Sequence, residues 1–131
     1  MGTVYSLADD TGNISASGNA TLTNISGAQD IVCYTAPAGG YGLATTFSLQ
    51  IVTNGLFALT SSPGYAALEV NGVPLVRITL TAGINTTVTL SNTYLGGGQA
   101  VHLTIPELSA GTCEYTYTLS GDEYENVLRN P

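Results

Sequence analysis

YAALEVNGVPLVRITL, residues Tyr65–Leu80, is the stretch on which the fold turns. Two apolar runs, Tyr65–Val70 and Val73–Leu80, flank Asn71-Gly72. Asn and Gly both tolerate positive φ, which a type I′ turn requires at its two central positions, so the stretch predicts a two-residue β-hairpin. Pro74 lacks a backbone donor, so the second strand either starts there or lies at a sheet edge.

Short runs of alternating apolar and polar residues, separated by turn residues, continue in both directions. Upstream, Leu43–Thr53 places Phe47, Leu49 and Ile51 on one face and Ser48, Gln50 and Val52 on the other, with turns at Asn54-Gly55 and Ser61–Gly64. Ala36-Pro37-Ala38-Gly39-Gly40 breaks the pattern before it. Gln29–Thr35 reads as a strand, Thr3–Leu7 as a short first strand, and Asn13–Asn24 as a strand with Ile14, Ala16, Ala20, Leu22 and Asn24 on one parity. Downstream, Ala82-Gly83 leads into Thr86–Leu90 and Gly96–Gly98 into Ala100–Ile105. A last strand, Thr112–Leu119, sets Tyr115 and Tyr117 opposite Glu114, Thr116 and Thr118. No helix-period run, long linker or solenoid repeat interrupts the series. About eight short strands joined by tight turns predict an all-β chain, one antiparallel, jelly-roll-like β-sandwich over residues 1–131. Residues 1–27 form a candidate N-terminal arm with the first strands, and 121–131 an acidic tail.

Composition narrows the function. Apolar residues make up 44% of the 131 and charged residues only 8%, far below the usual quarter of a globular chain. Lysine is absent, Arg77 and Arg129 are the only fixed cations, and the net charge is −7. A nucleic-acid binder needs cations to displace counterions from phosphates, so DNA and RNA are excluded as direct partners. Anionic membrane surfaces are excluded on the same ground. Residues 1–20 carry no signal-peptide pattern, and no run is long enough to span a membrane.

Catalytic chemistry finds few candidates. His102 is the single histidine, and no Gly-x-Ser-x-Gly elbow accompanies it. Asp9 and Asp10 point to opposite sides of an extended chain, and Asp122, Glu123 and Glu125 fall in the tail. Neither acidic group has calcium-loop spacing. Gly96–Gly98 precedes a strand, with no lysine, so it reads as a turn and not a phosphate cradle. Cys33 and Cys113 lie on separate strands and read as buried thiols unless those strands are neighbours. No zinc site or other cofactor is expected. The eight tyrosines are scattered along the chain, which weakens a sugar-binding platform. Asn13, Asn19, Asn24 and Asn85 head Asn-x-Ser/Thr triplets, which matter only in a protein secreted by a eukaryote. The expectation is a non-enzymatic module.

DIVCYTAPAGGYGLATTFSLQIVTN (Asp30–Asn54) and LEVNGVPLVRITLTAGINTTVTLSNTYLGGGQAVHLTI (Leu68–Ile105) resemble segments of small β-sandwich virion proteins of tailed bacteriophages. The resemblance rests on a strand ending in Tyr-Thr-Ala-Pro-Ala-Gly, a long strand ending near Asn, the Asn-Gly hairpin and the glycine turn. Gln99 departs from it, standing where an acidic residue is common, as does the scarcity of charge. The likeness implies a capsid decoration or cement protein at the virion surface, with the major capsid protein or another virion protein as partner. It carries over no catalytic residues. The alternative is an extracellular adhesion or carbohydrate-binding module of the fibre-tip kind. Leu56, Phe57, Leu59, Val127 and Leu128 fall outside the clearest strands and are candidate interface residues of a homo-oligomer, expected as a trimer. Phe57 and Leu59 alternatively form one more core strand. Arg77, among apolar neighbours, either faces solvent or meets a carboxylate across an interface.

Overall fold

The computed structural model describes residues 5–61 and 64–129; at 5–11 and 126–129 it describes the backbone alone. Ten strands follow one another with no helix among the described residues: β1 (Tyr5–Leu22), β2 (Gln29–Thr35), β3 (Gly40–Thr53), β4 (Ala58–Leu59), β5 (Tyr65–Val70), β6 (Val73–Thr79), β7 (Asn85–Gly96), β8 (Ala100–Ile105), β9 (Leu108–Ala110) and β10 (Cys113–Arg129). Eight build two four-stranded sheets, in the orders β1-β10-β3-β7 and β2-β8-β5-β6, and β4 with β9 forms a small ribbon. Every pairing among the described residues is antiparallel, and four of them nest: β1 with β10, β2 with β8, β3 with β7, β5 with β6. The chain is thus one long hairpin rolled up, with successive strands crossing between the sheets, which is the jelly roll.

The tip of that hairpin is the Asn-Gly turn. Asn71 and Gly72 have φ of 53° and 74°, as a type I′ turn demands. β6 is an edge strand. Its register slips between Leu68 and Glu69, where Glu69 faces Pro74 and Leu68 faces Val76. Pro74 therefore sits at an edge and next to a bulge, where its missing donor costs least.

The core lies between the sheets. Phe47, Leu49 and Ile51 of β3 are buried, as are Leu68, Val101, Leu103 and Ile105 from the other sheet. Tyr115 and Tyr117 join them, their rings parallel within 5° and 6.3 Å apart. Gly18 of β1 faces Tyr117, and a Cβ there would come within 2.7 Å of the ring. Glycine thus leaves the space that the tyrosine fills.

Two boundaries differ from the sequence-based expectation. Residues 5–22 form one strand fixed against β10 and not an arm, and the acidic segment 121–129 is not a tail but the second half of β10, paired with both β1 and β3. The chain reversed no pattern there that alternation could detect. Glu123, opposite Gly42 on the interior side, is accommodated because Tyr34 of the facing sheet donates its hydroxyl to Oε2 at 2.9 Å.

Candidate functional site

The nested strands give the roll two ends. Leu22, Cys113 and Thr53 are in register across β1, β10 and β3, so the loops that follow Leu22 and Thr53 and precede Cys113 share one end. The 80–84 loop joins them: Thr53 Oγ1 donates to the Thr81 carbonyl at 2.6 Å, and Gly83 N to that of Asn54 at 3.2 Å. The other end holds the Asn71-Gly72 turn and the 36–39 and 96–99 loops, tied by Ala36 N to Gln99 O at 2.8 Å.

The residues proposed from sequence separate on this frame. Leu56 is 80% exposed at the first end. Phe57, in contrast, is 5% exposed and belongs to the core, so it offers no contact surface. Leu59 lies half-buried on β4 against the core. Both side chains thus pack toward the core, Leu59 from β4 and Phe57 from the turn before it. Val127 and Leu128 lie in β10 opposite Leu7 and Ser6, and their side chains fall outside the described residues. Arg77 faces solvent on β6, its guanidinium carbon 4.7 Å from the centroid of the Tyr65 ring. This cation–π contact accommodates a charge among apolar neighbours.

Sequence reading missed Ile25, 90% exposed in the loop after β1 and at the same end as Leu56. A hollow of about 160 Å³ opens there too, with Phe57, Leu59 and Leu80 in its wall. Among the described residues, this end therefore carries the two most exposed large apolar side chains.

The outer face of the second sheet gathers charge. His102 Nδ1 meets Asp30 Oδ1 at 2.8 Å, Glu69 lies directly across from His102, and Thr104 Oγ1 donates to Glu69 Oε1 at 3.3 Å. The His102 and Asp30 side chains are 37% and 65% exposed, so water screens the pair. The hydroxyl in this group serves a carboxylate and not the imidazole, so no nucleophile–base pair is assembled. Among the described residues, no group of three His, Cys, Asp or Glu side chains could hold a metal ion. Cys33 and Cys113 are unpaired and buried on strands of different sheets. Burial pushes their thiols up to about 12 and about 11, with a backbone hydrogen bond at Leu103 opposing the rise at Cys33. Thiols so protonated are poor nucleophiles.

The outer face of the first sheet is different again. Four cross-strand rows run from Thr21–Glu114–Val52–Asn85 to Ser15–Ser120–Thr46–Ser91. Apart from Glu114 and Val52, every side chain in them is Ser, Thr, Asn or Gln. Beyond these rows the register brings Tyr124, Tyr41 and Tyr94 onto the same face of β10, β3 and β7. Tyr41 stacks on Tyr124 at 4.8 Å and 17°, and meets Tyr94 at 5.3 Å and 37°. Tyrosines 30 and 53 positions from Tyr94 and Tyr41 share no local pattern, and only the strand register reveals that they are neighbours. Compared with known proteins, the chain matches no family model, no curated protein and no solved structure.

Proposed function

We propose that the protein is a structural component of a virus particle, a decoration or cement protein that docks on the outer surface of an assembled capsid and stabilises it. The end of the roll that exposes Ile25 and Leu56 supports this reading. Ile25 and Leu56 stand 90% and 80% exposed at one end of a molecule whose first sheet presents a hydroxyl and amide face and whose second presents charge. The two side chains share that end, and a contiguous apolar patch there would mark a contact site. A roll standing on that end covers them and leaves both sheet faces outward.

The resemblance of residues 30–105 to phage virion sandwiches supports the same reading, and the acidic charge suits a protein that stays outside the packaged nucleic acid. A homo-oligomer, most simply a trimer over a three-fold site, multiplies the contact through effective concentration. With so few charges the contact rests on apolar and hydrogen-bonded surface, so it survives moderate salt. Stabilisation then grows by mass action, because the lattice is bound and free capsid subunits are not.

Cosedimentation with particles stripped of their decoration tests this. The protein is expected to pellet saturably with particles and not with free subunits. Ile25→Asp with Leu56→Asp, both at exposed positions, is expected to weaken pelleting at least about tenfold without loss of folding. A native chain that stays in the supernatant, or a double variant that pellets as well, overturns the proposal.

A further inference from the structure

Tyr94 lies 62% exposed on β7, and the interior below it is already filled from the other parity by Leu95 and Ala44. Packing of the roll therefore does not require an aromatic ring at this position. Yet three adjacent strands each lift a tyrosine onto this face, and the rings form one row, Tyr124–Tyr41–Tyr94. Strand spacing sets its length at roughly 10 Å. The next row holds Asp122, Leu43 and, diagonal to Tyr41, Tyr94 itself. Beyond it stretches the face of hydroxyls and amides, with Glu114 in its farthest row.

We propose that this face binds an uncharged glycan chain. A sugar ring has an apolar C–H face and a rim of hydroxyls. The exposed ring of Tyr94, supported by Tyr41 and Tyr124 behind it, covers the first, and the Asp122 carboxylate and the adjoining Ser, Thr, Asn and Gln side chains exchange hydrogen bonds with the second. Tyr94 is exposed on the outer face of a sheet, so the site suits an internal stretch of a polysaccharide and not a buried monosaccharide. Charge selects the ligand further. Glu114 and Asp122 stand on the face of a chain with net charge −7, so an anionic polysaccharide is repelled. A protein partner fits less well, because the cores of protein interfaces are depleted in Ser and this face is dominated by small hydroxyl residues. The site lies toward the end of the roll opposite Ile25 and Leu56, so a docked molecule can use both at once.

Affinity electrophoresis in native gels suits an acidic chain with sequence pI of about 4.1. Gels containing laminarin, galactomannan, dextran or arabinogalactan supply neutral probes, and alginate an anionic one. At least one neutral polysaccharide is expected to retard the protein, and alginate none. Tyr94→Ala, at an exposed position, is expected to weaken that retardation about tenfold, Tyr94→Phe to keep it within about threefold, and Tyr65→Ala on the other sheet to leave it unchanged. Free migration in all four neutral gels overturns the proposal. So does retention that Tyr94→Ala leaves intact. A Tyr94→Ala chain that lowers the oligomer mass in light scattering, with sugar binding unaltered, makes the row a contact between copies and overturns it as well.

Discussion

Tyr34 reaches across the sandwich from β2 to Glu123 on β10, and its hydroxyl is held protonated first by burial and then by the carboxylate it serves. Such groups give the protein a defined alkaline limit. Cys33 and Cys113 release protons near 9.0 when free and near 12 and 11 when buried in the fold. The folded state therefore binds more protons than the unfolded one over that interval. Their contribution is intact below about pH 9 and disappears as pH rises toward 11–12. Tyr34, Tyr115 and Tyr117, also raised by burial, act in the same direction above their ordinary 10.0. Urea titrations at about pH 8 and about pH 10 should differ by a few kcal/mol, and Cys33→Ala with Cys113→Ala should shrink the difference. Equal stability at both values contradicts the buried-thiol account. Alternation placed Tyr115 and Tyr117 on one face of β10, and the structure buries that face. It said nothing of Tyr41, Tyr94 and Tyr124, whose meeting depends on how three distant segments align.

The strands β2, β5 and β8 were legible to the residue, because each is a short apolar-rich run that ends at a turn of Gly, Asn or Pro. The ends of β1 and β10 were not. There the interior positions are Gly12, Gly121 and Glu123, which look like loop and tail until their partners are known. β9 was too short to show a period. The hairpin at the tip of the roll allows the turn argument to be isolated. Nothing lies within 4 Å of a Cβ built on Gly72 or on Gly55, but only Gly72 has positive φ. Gly72→Ala should therefore cost about 1 kcal/mol through backbone strain alone, while Gly55→Ala should be neutral or slightly stabilising. Urea midpoints of the two variants check this, and equal effects would contradict the type I′ assignment.

At the scale of the molecule, the roll is closed by its own termini, since β1 and β10 pair from Tyr5–Arg129 to Leu22–Cys113. Most contacts thus join residues far apart in sequence, so folding is expected to be slow for the chain's size. A chain ending at Gly121 would lose the Tyr34–Glu123 link, Tyr124 and the second half of β10. We expect it to lose several kcal/mol, visible as a lower midpoint in thermal circular dichroism, whereas a dispensable tail would leave the midpoint unchanged. The same architecture gives the surface an end that exposes Ile25 and Leu56, a face with Asp30, His102 and Glu69, and a hydroxyl-rich face with a tyrosine row. The sequence announced the sandwich but not this arrangement, because Ile25 and Leu56 become neighbours in role only when the loops of one end are assembled. The proposed docking on an assembled capsid has its readout in particle stability. Stripped particles are heated with increasing amounts of the protein while genome release is followed. The release temperature is expected to climb with concentration and then saturate, with little change in moderate salt. A release temperature indifferent to the protein at every concentration would contradict it.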